Sequence, residues 1–288
     1  MSLSFAVIFN PRSGKKKKED FLEIFVEKFS KLPYEIFIWD ENQKFEKIEN
    51  EILSKKFNVI IAAGGDGTVN KVASFVLEND LILGIIPLGS GNGLARSINI
   101  GTDTIRAIEK IKLGFTDSID SGKINDKNFF CTAGVGFDAH IGNLFASSTK
   151  RGLWIYIKIT ISELLSFVPK LYEVRYNEKS FFVTAFLITV CNAGQWGNNI
   201  FIAPEAKIND GVLNMIVLKK FPWYAAPYLT CLLLLRSIQN SKYSKSLTGK
   251  KFIIRSGQPL NYHYDGEPGI SQQEIVFQLN EKKLKVIC

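Results

Sequence analysis

The sequence is poor in the residues that staple or metallate a fold: its 288 residues hold four cysteines, two histidines and two methionines. Cys131, Cys191, Cys231 and Cys288 lie far apart with no CxxC pair, which argues against a disulfide framework or a zinc signature and fits a reducing cytosol. His140 and His263 stand alone, without metal-ligand spacing. Long apolar runs are also lacking. The longest, residues 221–235, is broken by Pro222 and Pro227 and falls short of the ~20 residues of a spanning helix. Met1-Ser2-Leu3-Ser4 runs straight into an apolar strand, so no secretory signal is expected. GxxxxGK[ST] occurs nowhere and no GxGxxG follows the first strand, which excludes a Walker loop and the dinucleotide fingerprint. The basic residues are scattered and no recognition motif appears, so no nucleic-acid partner is expected.

What is present is globular: 46% hydrophobic, 22% charged and 12% aromatic residues, with 22 glycines against 9 prolines. The 36 Lys+Arg against 28 Asp+Glu give a net charge of +8. That suits an anionic partner, such as a nucleotide or an acidic lipid surface, without choosing one. At roughly 100–200 residues per domain, the length predicts two domains.

Strand and helix signals alternate first. Residues 5–9, 34–39, 59–63 and 81–86 read as strands, with helices over 21–29, 45–53 and 69–77. This order predicts a parallel sheet covered by helices on both faces. Beyond about residue 116 the rhythm changes to strands over 118–124, 128–132, 172–176, 181–190, 212–218, 251–255 and 275–279. Turn formers separate them, which predicts an antiparallel sandwich or barrel. Two helical insertions, 153–168 and 223–238, interrupt it.

Three loops rich in turn formers and glycine, 10–14, 64–70 and 89–93, each follow a strand of the first half. In an open parallel sheet, ligands bind where such loops meet helix N-termini, and glycine lets backbone approach phosphate. Asp66 is the informative residue of Gly64-Gly65-Asp66-Gly67-Thr68. A carboxylate beside phosphate implies an intervening Mg²⁺ or a proton-accepting role. The competing reading is an N-cap for the helix that starts near Thr68.

Asn10-Pro11-Arg12-Ser13-Gly14, Gly64-Gly65-Asp66-Gly67-Thr68-Val69-Asn70 and Pro87-Leu88-Gly89-Ser90-Gly91-Asn92 resemble the catalytic domain shared by diacylglycerol kinases and sphingosine kinases. NAD kinases and phosphofructokinases carry a loop similar to the second. Gly134-Val135-Gly136-Phe137-Asp138, Pro204-Glu205-Ala206-Lys207-Ile208-Asn209-Asp210-Gly211 and Tyr264-Asp265-Gly266-Glu267 resemble the lipid-kinase branch in order and spacing. The resemblance implies a doubly wound α/β nucleotide-binding domain of the NAD kinase and phosphofructokinase kind over residues 1–116. A β-sandwich lipid-substrate domain over 117–288 would follow, with the active site in a cleft between them.

The activity so implied is ATP-dependent phosphorylation of a lipid hydroxyl, with diacylglycerol as first choice and a sphingoid base as alternative. Asn10, Pro11, Ser13 and Gly14 would lie beside the nucleotide. Gly64, Gly65, Asp66, Gly67, Thr68 and Asn70 would cradle phosphate and organise Mg²⁺, joined by Gly89, Ser90, Gly91 and Asn92. Asp265 matches the general base of bacterial diacylglycerol kinases, with Glu267 beside it and both facing one side if they lie on a strand. Asp265-Gly266 also reads as an ordinary hairpin turn. Asp120 would join the Asp66 metal network or serve as a turn residue. Asp210, with the carbonyls of Lys207 and Val212, matches a second, structural Mg²⁺ site. Gly93 and Asn214 stand where the family often has Asp, and Ser90 where it often has Thr.

The apolar helices, with Lys150, Arg151 and Arg236 at headgroups, would wall an acyl pocket or touch a membrane surface, if they are not simply buried. Lys15, Lys16, Lys17 and Lys18 could meet anionic lipid or ATP phosphates. A cytoplasmic, peripherally membrane-associated homodimer is the expected assembly. The rival without turnover is a nucleotide-regulated lipid-binding protein.

Overall fold

The structure is a computed structural model that describes residues 3–13, 18–40, 44–147, 153–164, 166–197, 199–270 and 273–288. Gly14, Lys15, Lys16, Lys17, Lys150 and Arg151 lie outside them. The chain divides into two compact units, Met1–Ile119 with Lys282–Cys288, and Asp120–Glu281. The division falls at Asp120 instead of Asp117, and residues 282–288 return to the first unit.

In chain order, the first unit holds β1 (Phe5–Phe9), α1 (Lys18–Phe29), β2 (Tyr34–Ile38), α2 (Phe45–Lys55) and β3 (Val59–Gly64). It continues with α3 (Asp66–Glu78), β4 (Ile82–Pro87), α4 (Gly93–Ser97), α5 (Thr104–Leu113) and β5 (Thr116–Ile119). The sheet runs β2, β1, β3, β4, the terminal strand Leu284–Ile287, then β5. Pairing is parallel up to the terminal strand, which meets β5 antiparallel. β1 and β3 are buried along their whole length, as unbroken apolar runs covered on both faces require. The terminal strand joins this sheet because its Leu284, Val286 and Ile287 are buried there.

The helices follow local rules. α2 buries Phe45, Ile48 and Ile52 at helical spacing. α5 starts where the Asp103 carboxylate accepts the Ile105 and Arg106 N–H groups at 2.9 and 3.0 Å, and ends at Gly114 with φ 71°. α1 contributes Phe25 and Phe29, stacked at 4.3 Å, with Tyr34 edge-on to each.

The second unit contains β6 (Gly122–Ile124), β7 (Lys127–Phe129), β8 (Thr132–Gly136), α6 (Phe137–Ser147), α7 (Leu153–Leu164), β9 (Lys170–Tyr176) and β10 (Lys179–Cys191). A small ribbon of β11 (Gln195–Gly197) and β12 (Ile200–Phe201) leads to β13 (Leu213–Lys219) and α8 (Ala226–Leu234). Last come β14 (Ser244–Gly249), β15 (Lys251–Arg255), β16 (Asn261–Tyr264), β17 (Glu267–Ile270) and β18 (Glu274–Leu279). They build one curled antiparallel sheet in the order β17-β16-β8-β10-β9-β15-β18-β6-β7, with β13 on β10 and β14 on β13. Met215 and Val217 of β13 face one core, and Ile216 and Leu218 face the helices, the period-2 alternation of a two-sided sheet. A register shift between Ala185 and Leu187 puts Phe186 and Leu187 together on the helix side.

Four expectations are corrected. Residues 118–124 are two strands, β5 and β6, in different sheets, because Asp120 and Ser121 form the crossing. Residues 128–132 are not one strand either: Phe130-Cys131 turn between β7 and β8. The helix over 153–168 does not reach residues 166–168, and the one over 223–238 is a 3₁₀ turn Trp223–Ala225, then α8 begun by Pro227 in its first turn and halted before Arg236 at φ 56°. α6 is a third insertion, packed through Phe137 and Ile141, a stripe too short to stand out in sequence. No described helix is long and apolar enough to cross a membrane.

Phe25 is fully buried and touches three aromatic rings. Phe25→Ala should therefore destabilise the first unit by about 3–5 kcal/mol in chemical denaturation. A loss below about 1 kcal/mol would mean that this aromatic stack is not a core element.

Candidate active site

Strands β1, β3 and β4 are adjacent and parallel, with Phe9 level with Ala63 and Gly64 level with Pro87. Their following loops therefore emerge on one edge. The chain order also reverses there, since β2 lies on one side of β1 and β3 on the other. Such a reversal is where open α/β sheets place ligands.

The three loops are knitted together. Asn10 donates from Nδ2 to Thr68 Oγ1 at 3.0 Å and accepts the Arg12 N–H on Oδ1 at 2.9 Å. Ser13 Oγ accepts the Gly65 N–H at 3.1 Å. A Cβ on Gly89 would sit 2.6 Å from Gly65 Cα, and one on Gly91 2.5 Å from Asp66 Oδ2, so both contacts demand glycine. Asn92 holds its loop closed, accepting the Gly89 N–H at 3.0 Å and donating to the Gly89 carbonyl at 2.8 Å. It takes the left-handed conformation, φ 52°, that Asn tolerates.

Asp66 is not the N-cap of α3. Gly65 is, and Asp66 is the first helical residue. Its carboxylate instead accepts the Gly93 N–H on Oδ1 at 2.7 Å and the Asn92 N–H on Oδ2 at 2.9 Å. Burial pushes this carboxyl above the usual range; the Gly93, Asn92 and Asp66 N–H groups and the Arg96 charge pull the other way. Gly65 has no side chain, so α3 starts beside these loops without a side-chain cap. Thr68 and Asn70 are buried in α3, Ser90 is exposed, and Pro11 sits in the turn after β1. Gly67 lies in the first turn of α3.

In the second unit, Asp265 does not lie on a strand. It and Gly266, at φ 47° and 87°, form the two-residue turn between β16 and β17, whose last pair is Tyr264 with Glu267. The expected common facing of Asp265 and Glu267 therefore lapses, since strand alternation does not pass through a turn; Glu267 is exposed. The Asp265 carboxylate accepts the Phe130 N–H on Oδ2 at 2.7 Å, and the Cys131 and Thr132 N–H groups on Oδ1 at 2.8 and 3.0 Å. Asp265 N–H returns a bond to the Thr132 carbonyl at 2.8 Å.

Asp120 is buried. Its N–H donates to the Ile208 carbonyl at 2.7 Å and its Oδ2 accepts the Gly211 N–H at 2.7 Å. It thereby clasps the loop carrying Lys207, Asp210 and Val212, where Asp210 accepts the Val212 N–H at 3.2 Å. Among the described residues no three His, Cys, Asp or Glu side chains gather as a metal cluster. The Asp210 carboxylate with the carbonyls of Lys207 and Val212 is nevertheless an all-oxygen donor set of the kind that suits a hard cation.

Sequence reasoning missed two features here. His263 pairs with Asp138 at 3.0 Å, both nearly fully buried, and Thr189 donates to the same carboxylate. Asn192, which no motif singled out, is fully buried just beyond the end of β10.

Residues 4–124 match the diacylglycerol kinase catalytic domain, and residues 131–288 match the YegS C-terminal NAD kinase beta sandwich-like domain. The chain belongs to the bacterial diacylglycerol kinase and YegS-like lipid kinase family. It is 31% identical over 223 residues to a diacylglycerol kinase of Bacillus subtilis, covering 74% of this chain and 73% of that one. It is 26% identical over 273 residues to a diacylglycerol kinase of Staphylococcus epidermidis, covering 91% and 85%. A diacylglycerol kinase structure from Bacillus anthracis shares the fold, with TM-score 0.76 and 19% identity over 99% of this chain and 96% of that one. Membership makes the protein an enzyme of a lipid kinase family and implies use of ATP.

Asp66→Ala should leave the Asn92 and Gly93 N–H groups without their acceptor and loosen the third loop. Amide exchange at both should quicken and ATP affinity should fall about tenfold or more, given ~1–3 kcal/mol per unsatisfied buried donor. Unchanged exchange at Asn92 and Gly93 would show that the carboxylate does not hold the loop.

Proposed function

We propose that the protein transfers the γ-phosphoryl group of ATP to the hydroxyl of diacylglycerol, giving phosphatidic acid. The observation that carries this reading is the knot of loops around Asp66, where Gly89 meets Gly65 backbone to backbone. Backbone packed this closely beside the uncapped start of α3 suits a chain of phosphates more than any bulky apolar ligand. Asn10, Pro11 and Ser13 would flank the nucleotide, with Gly14 following. Gly64, Gly65, Gly67, Thr68 and Asn70 would cradle phosphate from one side; Gly89, Ser90, Gly91 and Asn92 would do so from the other.

In the reaction the bond from Pγ to the bridging oxygen of ADP breaks as the lipid oxygen bonds to Pγ. Asp265 accepts the hydroxyl proton, the role phosphoryl transfer asks of a carboxylate. The three N–H groups from residues 130–132 fix both of its oxygens in place. Mg²⁺, when bound, neutralises charge on the phosphates. Asp66 is the one carboxylate among the described residues of the three loops able to face it. Asp210, Lys207 and Val212 would hold a second, structural Mg²⁺, with Asp120 bracing their loop.

A sphingoid base is the runner-up acceptor, favoured by Gly93, whose N–H bonds to Asp66 where many diacylglycerol kinases carry Asp. Purified protein with [γ-³²P]ATP and, separately, diacylglycerol, sphingosine or NAD should label phosphatidic acid. Asp265→Asn should cut kcat about 100-fold or more while ATP affinity stays within about twofold. Label in sphingosine phosphate alone would move the assignment to the runner-up. Lipid binding without any labelled product would favour the rival without turnover.

The reading extends to a cytoplasmic enzyme that meets its lipid at a membrane surface. α7 and α8 pack inward on one apolar cluster through Ile159, Leu164, Leu229 and Leu232, yet Trp154, Ile161 and Leu234 on them, and Tyr224 and Leu235 flanking α8, are exposed. Arg236 follows α8, and Glu163, the single acid of the two helices, pairs with His140 at 2.8 Å. An apolar face with aromatic and basic groups and no unpaired acid suits an anionic bilayer. Trp154→Ala with Trp223→Ala should release the protein from anionic vesicles on sedimentation. Unchanged vesicle binding, with a dimer dissolving to monomer instead, would make this face a homodimer contact.

A further inference from the structure

Asn192 belongs to no motif and touches no proposed ligand, yet it lies behind the proposed base. Its side chain is fully buried. Nδ2 donates to the Phe130 carbonyl and to the Asp120 carbonyl, each at 2.8 Å. Its backbone N–H donates to the Cys131 carbonyl at 2.9 Å, and the Ala193 N–H reaches that same carbonyl at 3.1 Å. Oδ1 has no partner among the described residues, so the donor end sets the orientation of the side chain.

These contacts act through peptide geometry. A trans peptide unit is planar, and its C=O and N–H point in opposite directions. The Phe130 carbonyl shares its unit with the Cys131 N–H, and the Cys131 carbonyl shares its unit with the Thr132 N–H. Gripping those two carbonyls from the Asn192 side therefore aims the Cys131 and Thr132 N–H groups the other way. Both end on Asp265 Oδ1, at 2.8 and 3.0 Å. The same Nδ2 ties in Asp120, whose carboxylate holds the Gly211 N–H.

We propose that the Asn192 side chain is a positioning group that orients the Asp265 carboxylate through the Phe130–Cys131 peptide plane, beside the next plane held by the backbone N–H groups of residues 192 and 193, and ties that carboxylate's cradle to the Asp120 loop. This rests on the role of Asp265 given above. Asn192 does not touch the reacting atoms.

The test has a part that needs no turnover. In the intact wild-type protein, the Asn192 side-chain amide protons should exchange far more slowly than those of exposed Asn261, and the Cys131 and Thr132 amides should be protected. Asn192→Ala, or the milder Asn192→Ser, removes the grip on the Phe130 carbonyl and should speed exchange at Cys131 by tenfold or more, and at Thr132 by less, while amides of β1 and β3 keep wild-type rates. In the kinase assay kcat should fall at least tenfold with KM for ATP within twofold, and the kcat–pH profile should shift. Val174→Ala, a core truncation in the same unit, should change neither the profile nor those two amides. In an Asp265→Asn background, Asn192→Ser should cost no further rate. Fast exchange of the Asn192 side-chain protons in wild type would overturn the proposal, as would unchanged Cys131 exchange in either variant. Altered exchange in a protein that phosphorylates no acceptor would uphold the geometry and refute the kinase reading separately.

Discussion

The grip of the Asp66 carboxylate on the Asn92 and Gly93 N–H groups organises the first unit's functional edge. A carboxylate removed from water must have its oxygens satisfied, and backbone N–H groups satisfy it without a counter-charge. Once that bond is made, the loop after β4 has to run against the loop after β3. Only glycine then fits at positions 89 and 91, where a Cβ would strike Gly65 and Asp66. Asn92 follows as well, because the loop must turn through a left-handed residue to present its amide. The glycines are there less for flexibility than for closeness.

The second unit uses the same device three times. Asp265 binds the N–H groups of residues 130–132, Asp120 binds that of Gly211, and Asp138 binds that of Ala139. The first two join segments more than 90 residues apart in sequence; the Asp265 bonds extend the pairing of β8 with β16 into the turns at their ends, and the Asp120 bond ties in the loop before β13. Each such bond also fixes where a carboxylate stands, the precision that the proposed phosphoryl transfer would ask of Asp265. Asn192 extends the pattern by one layer, reaching a carboxylate through the peptide units between.

Much of this was legible from the residues. The apolar runs at 5–9 and 59–63 and the helical stripe at Phe45, Ile48 and Ile52 carry their periodicity openly, and all three became the predicted elements. The three loops, with Asp66 at their centre, stood out because glycine and Asn clustered where strands ended. Other features were hidden because they depend on partners remote in the chain. The terminal strand was not among the predicted strands, and its place in the first unit's sheet comes only from its neighbours β4 and β5. Asp120-Ser121 looks like a turn and is a crossing between sheets. His263, passed over as a lone histidine, meets Asp138 from 125 residues away. Asp265 shows the limit most plainly, since Asp-Gly announces the turn correctly and says nothing of the three amides waiting at 130–132.

The most direct test of the account is where a triphosphate lands. Titrating a non-hydrolysable ATP analogue with Mg²⁺ into the isotope-labelled full chain should shift the backbone amides of Ser13, residues 65–70 and residues 89–93 together and in saturable fashion. Amides there that stay fixed while another surface responds would contradict a nucleotide seat built by the Asp66 grip.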